Sequence, residues 1–103
     1  MLTYDTISRR ATFEVRADTR RPVSLLVGEA ASRLARVPME PRDDRWIAQL
    51  PLAPGLYLYA FEVDGRQRCD GAQATVRLAN GRRCTLAALP VRSNTTRKND
   101  ALV

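Results

Sequence analysis

The chemistry open to this chain is limited first by a missing residue type, because it contains no histidine. That removes the commonest general base, the commonest zinc ligand and every Ser-His or Cys-His arrangement for nucleophilic attack. Two carboxylates six positions apart, Asp64 and Asp70, could share acid-base work. Asp64 precedes Gly65 after an alternating run, however, and hairpin and turn duty is the better reading of the pair. Cys69 and Cys84 have fourteen residues between them and no second pair beside them, so neither a zinc ribbon nor a CxxC redox site can be built. In a cytosolic setting the expectation is two reduced, buried thiols, with a disulfide as the alternative. No catalytic residue, cofactor site or metal site is expected, and the chain reads as non-catalytic.

Charge points to a different kind of function. Seventeen basic residues against eleven acidic ones give a net charge of +6 and a pI near 10.3, which favours anionic partners at modest salt. Sixteen of the bases are arginine, and Lys98 is the single lysine. Arginine forks suit carboxylates and phosphates, although a GC-rich coding sequence would enrich arginine with no partner implied. The arginines are scattered as pairs (Arg9 and Arg10, Arg20 and Arg21, Arg82 and Arg83) beside turn signals. They form no stripe with interleaved aromatics, so nucleic acid is disfavoured as a partner.

The elements that must position these groups are strands. Apolar residues recur with period two nearly throughout, and no window of a dozen residues carries an apolar stripe at helical spacing. Strands are expected over Ala11–Arg16, Val23–Val27 (a run that reads as buried on both faces), Arg45–Leu50, Leu56–Asp64, Gln67–Cys69, Gln73–Leu78 and Arg82–Leu89. Val37 and Met39 flank Pro38, which denies a ladder hydrogen bond and places that stretch on a sheet edge. Residues 29–36 could hold one helical turn. Turns are expected at 41–44, at 51–55, at Asp64-Gly65 and at Asn80-Gly81. Seven or eight short strands at this spacing predict an all-β, two-sheet sandwich. A chain of 11.5 kDa is one domain that buries roughly 65% of its unfolded surface. The organisation read from the sequence is an N-terminal extension over 1–10, a sandwich over 11–90 and a flexible tail over 91–103. The longest apolar run, Leu56–Phe61, is far shorter than the roughly 20 residues of a membrane span. No membrane association and no secretory leader are read, and a cytoplasmic location is expected.

The stretch from Trp46 to Gly65 carries the most detailed pattern. Trp46, Leu50, Leu52, Pro54, Gly55, Tyr57, Tyr59, Phe61, Val63, Asp64 and Gly65 fall in the order W-x-x-x-L-x-L-x-P-G-x-Y-x-Y-x-F-x-V-D-G. Tyr57, Tyr59, Phe61 and Val63 share one strand face by period two and read as core. Trp46, in phase with Ala48 and Leu50, reads as core or edge anchor, the alternative being a sugar platform. This grammar resembles the family 48 carbohydrate-binding modules, also called isoamylase N-terminal or early-set domains. The glycogen-binding domain of the AMP-activated protein kinase β subunit is similar. The resemblance covers about residues 11–89 and implies an immunoglobulin-like sandwich. In active family members it implies binding of α-1,4-glucans through two exposed tryptophans, a lysine and polar residues near a late turn, since aromatic faces match the C–H faces of sugar rings.

Those contacts mostly fail to carry over. The first tryptophan would fall within residues 30–33, here Ala-Ala-Ser-Arg; the lysine position is Ala60; the second tryptophan position is Gln67; and the polar pair falls near Arg82 and Cys84. The aspartate of the pattern persists as Asp70. Arginines stand where glucan contacts are expected, so Arg33, Arg66, Gln67, Arg68 and Arg82 form a candidate partner-docking face. The expected function is an accessory or interaction module that docks to another protein, possessed of an acidic surface. The alternative is weak binding of glycogen or starch that targets a separate enzyme.

Overall fold

The computed structural model describes residues 1–71, 74–79 and 81–91 and turns the two-residue periodicity into two antiparallel sheets. The strands are β1 (Leu2–Asp5), β2 (Arg10–Arg16), β3 (Ser24–Gly28), β4 (Ala35–Pro38), β5 (Glu40–Arg42), β6 (Arg45–Pro51), β7 (Gly55–Val63), β8 (Arg66–Arg68), β9 (Thr75–Arg77) and β10 (Arg83–Leu89). A 3₁₀ turn over Ala31–Arg33 is the helical turn anticipated in the 29–36 segment. Sheet A has the order β1-β2-β6-β5, and sheet B the order β4-β3-β7-β10-β9, with β8 also paired to β7. The all-β sandwich read from the sequence is the observed architecture.

The core lies where the two inner faces meet. Phe13 of sheet A sets its ring edge-on to Tyr59 of sheet B at 5.0 Å, and Tyr59 does the same to Phe61 at 5.8 Å. Such offset ring pairs add to the transfer free energy of their buried area. Trp46, Tyr57 and Val63 are buried in the same cluster, together with Leu25 and Val27. Met39, buried between β4 and β5, carries the chain from sheet B to sheet A, and its N–H donates to the Val23 carbonyl at 3.0 Å.

Three local expectations change, and the edge placement of Pro38 stands. Leu2–Asp5 forms a strand, β1, registered against Arg10–Phe13. Pro41 and Arg42 belong to β5, and only Asp43 and Asp44 make the turn, Asp43 with φ +56°. The edge placement of Pro38 allows β4 to form on one rim of sheet B, where the missing N–H costs no ladder bond. In β3, Val23, Leu25 and Val27 point inward and are buried, whereas Ser24 and Leu26 face outward and are only partly covered. The strand is buried on one face because no second layer lies over sheet B among the described residues. Asp64 (φ +52°) and Gly65 (φ +78°) close the β7–β8 hairpin with Val63 opposite Arg66, the two-residue turn that an Asp-Gly pair favours. The strand start at Gln73, the Asn80 half of the Asn-Gly turn and the tail from Arg92 lie outside the described residues. No helix among the described residues is long and apolar enough to cross a membrane.

Candidate functional site

Strand alternation gives each sheet an outer face, and the two outer faces differ. On sheet A the outward residues are mostly polar and pair with one another: Gln49 Nε2 donates to Thr12 Oγ1 at 3.2 Å, and Arg45 Nη1 donates to Glu14 Oε2 at 2.7 Å. On sheet B the register places Leu26 opposite Ala60, Leu58 opposite Leu86, Leu56 opposite Ala88 and Val76 opposite Cys84. Leu56 is 64% exposed, and Leu26, Leu58, Leu86 and Val76 are partly exposed. An antiparallel sheet with one solvated face normally alternates apolar-in with polar-out. Sheet B is apolar on both sides for most of the length of β7.

One end of this face is polar and charged. Glu62 stands opposite Ser24 on one side and Gln67 on the other, and Arg36 from β4 makes a two-pronged hydrogen bond to its carboxylate. That hydrogen bond, with the charges of Arg36 and Arg82, holds the Glu62 carboxyl below the usual carboxylate range. Gln67 Nε2 donates to the Arg83 carbonyl at 2.8 Å and lies 3.5 Å from Cys84 Sγ. Arg66, Gln67, Arg82 and Arg83 share a hollow of about 470 Å³ with Glu62 and Cys69.

The five candidate docking residues therefore fall in three places. Arg66, Gln67 and Arg82 come together at the hairpin end of sheet B. Arg68 stands opposite Phe61, on the side of β8 away from Gln67, and its Nη1 donates to the Arg16 carbonyl at 3.3 Å toward sheet A. Arg33 sits in the 3₁₀ turn beside Gly28, which pairs with Leu58, and Leu58 and Val63 are separated by roughly 17 Å of strand. There it lines a separate cleft of about 580 Å³ with Val37, Leu50, Leu52 and Tyr57.

The remaining candidates serve the fold's interior. Trp46 (9% exposed), Tyr57, Tyr59, Phe61 and Val63 are all buried. Asp70 is buried as well: Tyr59 Oη donates to its Oδ2 at 2.7 Å, and its own N–H donates to Thr85 Oγ1 at 2.7 Å. Burial, then the Asp70 carboxylate, pushes the Tyr59 phenol far above its ordinary value. Asp64 lies at the exposed hairpin tip and accepts from Thr19 Oγ1 at 2.6 Å. The two aspartates thus occupy unlike environments with separate partners. Tyr4 is partly buried, donating to the Leu52 carbonyl at 2.7 Å. None of the six aromatic residues of the sequence lies on the outer face of sheet B. Sequence reasoning missed the apolar character of that face and the Arg36–Glu62 pair. The available signal was the run of Leu56, Leu58 and Ala60 out of phase with the ring-bearing positions of β7.

No protein-family model matches the chain, and no curated protein does. Solved structures do share its fold. A pullulanase from Paenibacillus barengoltzii superposes with a TM-score of 0.58 at 18% identity, over 82% of this chain and 14% of that one. A pullulanase from Anoxybacillus sp. LM18-11, solved with maltotetraose, gives a TM-score of 0.55 at 23% identity, over 88% of this chain and 13% of that one. This chain therefore spans only a small part of those enzymes' length, and at such identities the likeness is one of fold.

Proposed function

We propose that the chain is a non-catalytic accessory module that docks a protein partner through the outer face of sheet B. The observation that carries this reading is the apolar composition of that face, with Leu56 exposed and Leu26, Leu58 and Leu86 partly exposed while sheet A presents paired polar groups. Exposed apolar patches on small domains mark interaction surfaces. Arg66, Arg82 and Arg83 at the hairpin end, with a net charge of +6, suit a partner whose apolar contact is bordered by carboxylates. Two copies of this chain would bring like charges together on the same face. Complementary charge of this kind sets orientation and encounter rate more than affinity. The resemblance to family 48 modules supports the same surface, because the positions matched to the family's lysine and second tryptophan, Ala60 and Gln67, both lie on it. Here that surface lacks any ring for a sugar to stack upon.

The test is a pull-down from native extract at low salt using the wild-type chain, Leu58→Asp/Leu86→Asp and Thr12→Asp/Gln49→Asp. A protein retained by the wild type and the sheet A variant but lost from the sheet B variant is expected. Equal retention by all three would overturn the reading.

Weak α-glucan binding is the second reading, favoured by the fold shared with a pullulanase solved with maltotetraose. Trp46 borders a hollow of about 530 Å³ with Asp18, Asp43, Asp44 and Arg68. As the single tryptophan, it reports any sugar there directly. Glycogen cosedimentation competed by maltoheptaose, with a matching change in Trp46 emission, would favour this reading over protein docking.

A further inference from the structure

Two strands share one side of β7 and meet at a single residue. β8 pairs with the upper part of β7 in the register Phe61 opposite Arg68, and β10 pairs with the lower part in the register Tyr59 opposite Thr85. Extending each register by one residue brings both Cys69 and Cys84 opposite Ala60. Flanking hydrogen bonds hold the junction on either side of the cysteines. Gln67 Nε2 donates to the Arg83 carbonyl at 2.8 Å, and the Asp70 N–H donates to Thr85 Oγ1 at 2.7 Å. Alternation along β8 and β10 puts both cysteines on the outer side of sheet B, and Ala60, wholly buried there, offers only a methyl group beneath them. Burial pushes the Cys84 thiol up, and the neighbouring Cys69 adds to that rise, while the Gln67 hydrogen bond opposes it.

We infer that Cys69 and Cys84 form a reversible intramolecular disulfide that fastens β8 to β10 across Ala60. Disulfides need Cα atoms about 4.4–6.8 Å apart, and β8 and β10, end to end along the same side of β7, approach within 8 Å between Cα atoms where they meet. Cys69 is partly exposed and Cys84 is buried, which sets the order of reaction with a small disulfide such as oxidised glutathione. The Cys69 thiolate attacks one glutathione sulfur, forming a mixed disulfide and expelling a glutathione thiolate. The Cys84 thiolate then attacks the Cys69 sulfur, forming the protein disulfide and expelling the second glutathione thiolate. Two protein thiols are oxidised, one glutathione disulfide is reduced to two thiols, and the two protons released by the cysteines pass to the leaving thiolates. In a strongly reducing compartment the pair stays open, and in an oxidising one it closes.

This inference does not depend on the docking reading, and either can fail alone. The full chain is equilibrated in reduced and oxidised glutathione, acid-quenched, alkylated and weighed intact, folded and in denaturant. Arg68 and Arg83 immediately precede the two cysteines, so trypsin releases the peptides beginning at Cys69 and Cys84, and a cross-linked pair identifies the bond. The folded chain is expected to lose two hydrogens and to close at an oxidised-glutathione level at least about tenfold below that needed by the unfolded chain. Cys84→Ser should stop at the Cys69 mixed disulfide. A folded wild-type chain that stops there too, or links to a second chain, or closes no more readily than the unfolded chain, overturns the inference.

Discussion

Replacing Tyr59 by phenylalanine removes one oxygen from the centre of the sandwich while leaving its ring contacts with Phe13 and Phe61 in place. That oxygen donates to Asp70 Oδ2 at 2.7 Å, and both residues are buried. A hydrogen bond to a charged group is worth about 1.5–3 kcal/mol, whereas orphaning a buried charge costs about 3–5 kcal/mol. The smaller range applies, because the amino nitrogen of Met1 lies 2.9 Å from the same carboxylate oxygen. For a domain of about 100 residues, each kcal/mol moves Tm by roughly 4–8 °C, so Tyr59→Phe should lower Tm by roughly 6–24 °C. Its pH dependence is a second signature. Because the folded phenol titrates far above its ordinary value of about 10, its stabilising contribution is complete below that value. It is lost as pH rises toward the raised folded value and the unfolded chain ionises. Above pH 10 the wild type should lose about 1.4 kcal/mol more per pH unit than Tyr59→Phe. Urea titrations of both proteins at pH 7 and above pH 10 measure both quantities. A loss below about 0.5 kcal/mol at neutral pH, or parallel slopes at high pH, would refute the assignment of Tyr59–Asp70 as the anchor of the segment that carries Cys69 and Gln67.

Two further substitutions probe the ends of sheet B. A Cβ on Gly28 would stand 2.3 Å from the Arg33 carbonyl oxygen, a backbone atom, so Gly28→Ala should cost about 1–3 kcal/mol in a denaturation titration; no measurable cost would show that the 3₁₀ turn does not press on β3. The Arg36 hydrogen bond holds Glu62 low, so its stabilisation is present above the ordinary carboxylate range and is lost as pH falls through the lowered folded value. Arg36→Ala should move the Glu62 titration, followed by carboxyl NMR shifts, upward toward that range, and an unmoved curve would contradict the pairing.

The parts of this fold that rest on local chain physics were legible in the sequence. Alternation placed Tyr57, Tyr59, Phe61 and Val63 on one face of β7, and Asp64-Gly65 supplied the positive φ angles of its hairpin. β1 was not legible, because Leu2 and Tyr4 give only two inward residues, and its pairing to β2 depends on a chain reversal at Arg9 with φ +56°. The docking residues were placed by turn proximity, which cannot tell the two sides of β8 apart. Gln67 shares the outer side of β8 with Glu62, whereas Arg66 and Arg68 stand opposite Val63 and Phe61 on the other side, Arg68 reaching toward sheet A and Arg66 bordering the hollow at the hairpin end. The convergence of Cys69 and Cys84 is a property of two registers on β7 and has no trace in their spacing.

The central claim, that the outer face of sheet B receives a protein, is tested most directly by mapping amide chemical shifts in the isotopically labelled chain upon addition of the protein retained in the pull-down. Shifts centred on Leu26, Leu58, Ala60, Leu86 and Ala88, with Thr12, Glu14 and Gln49 of sheet A unmoved, are the predicted result. Shifts centred on sheet A, or on the hollow beside Trp46, would contradict it.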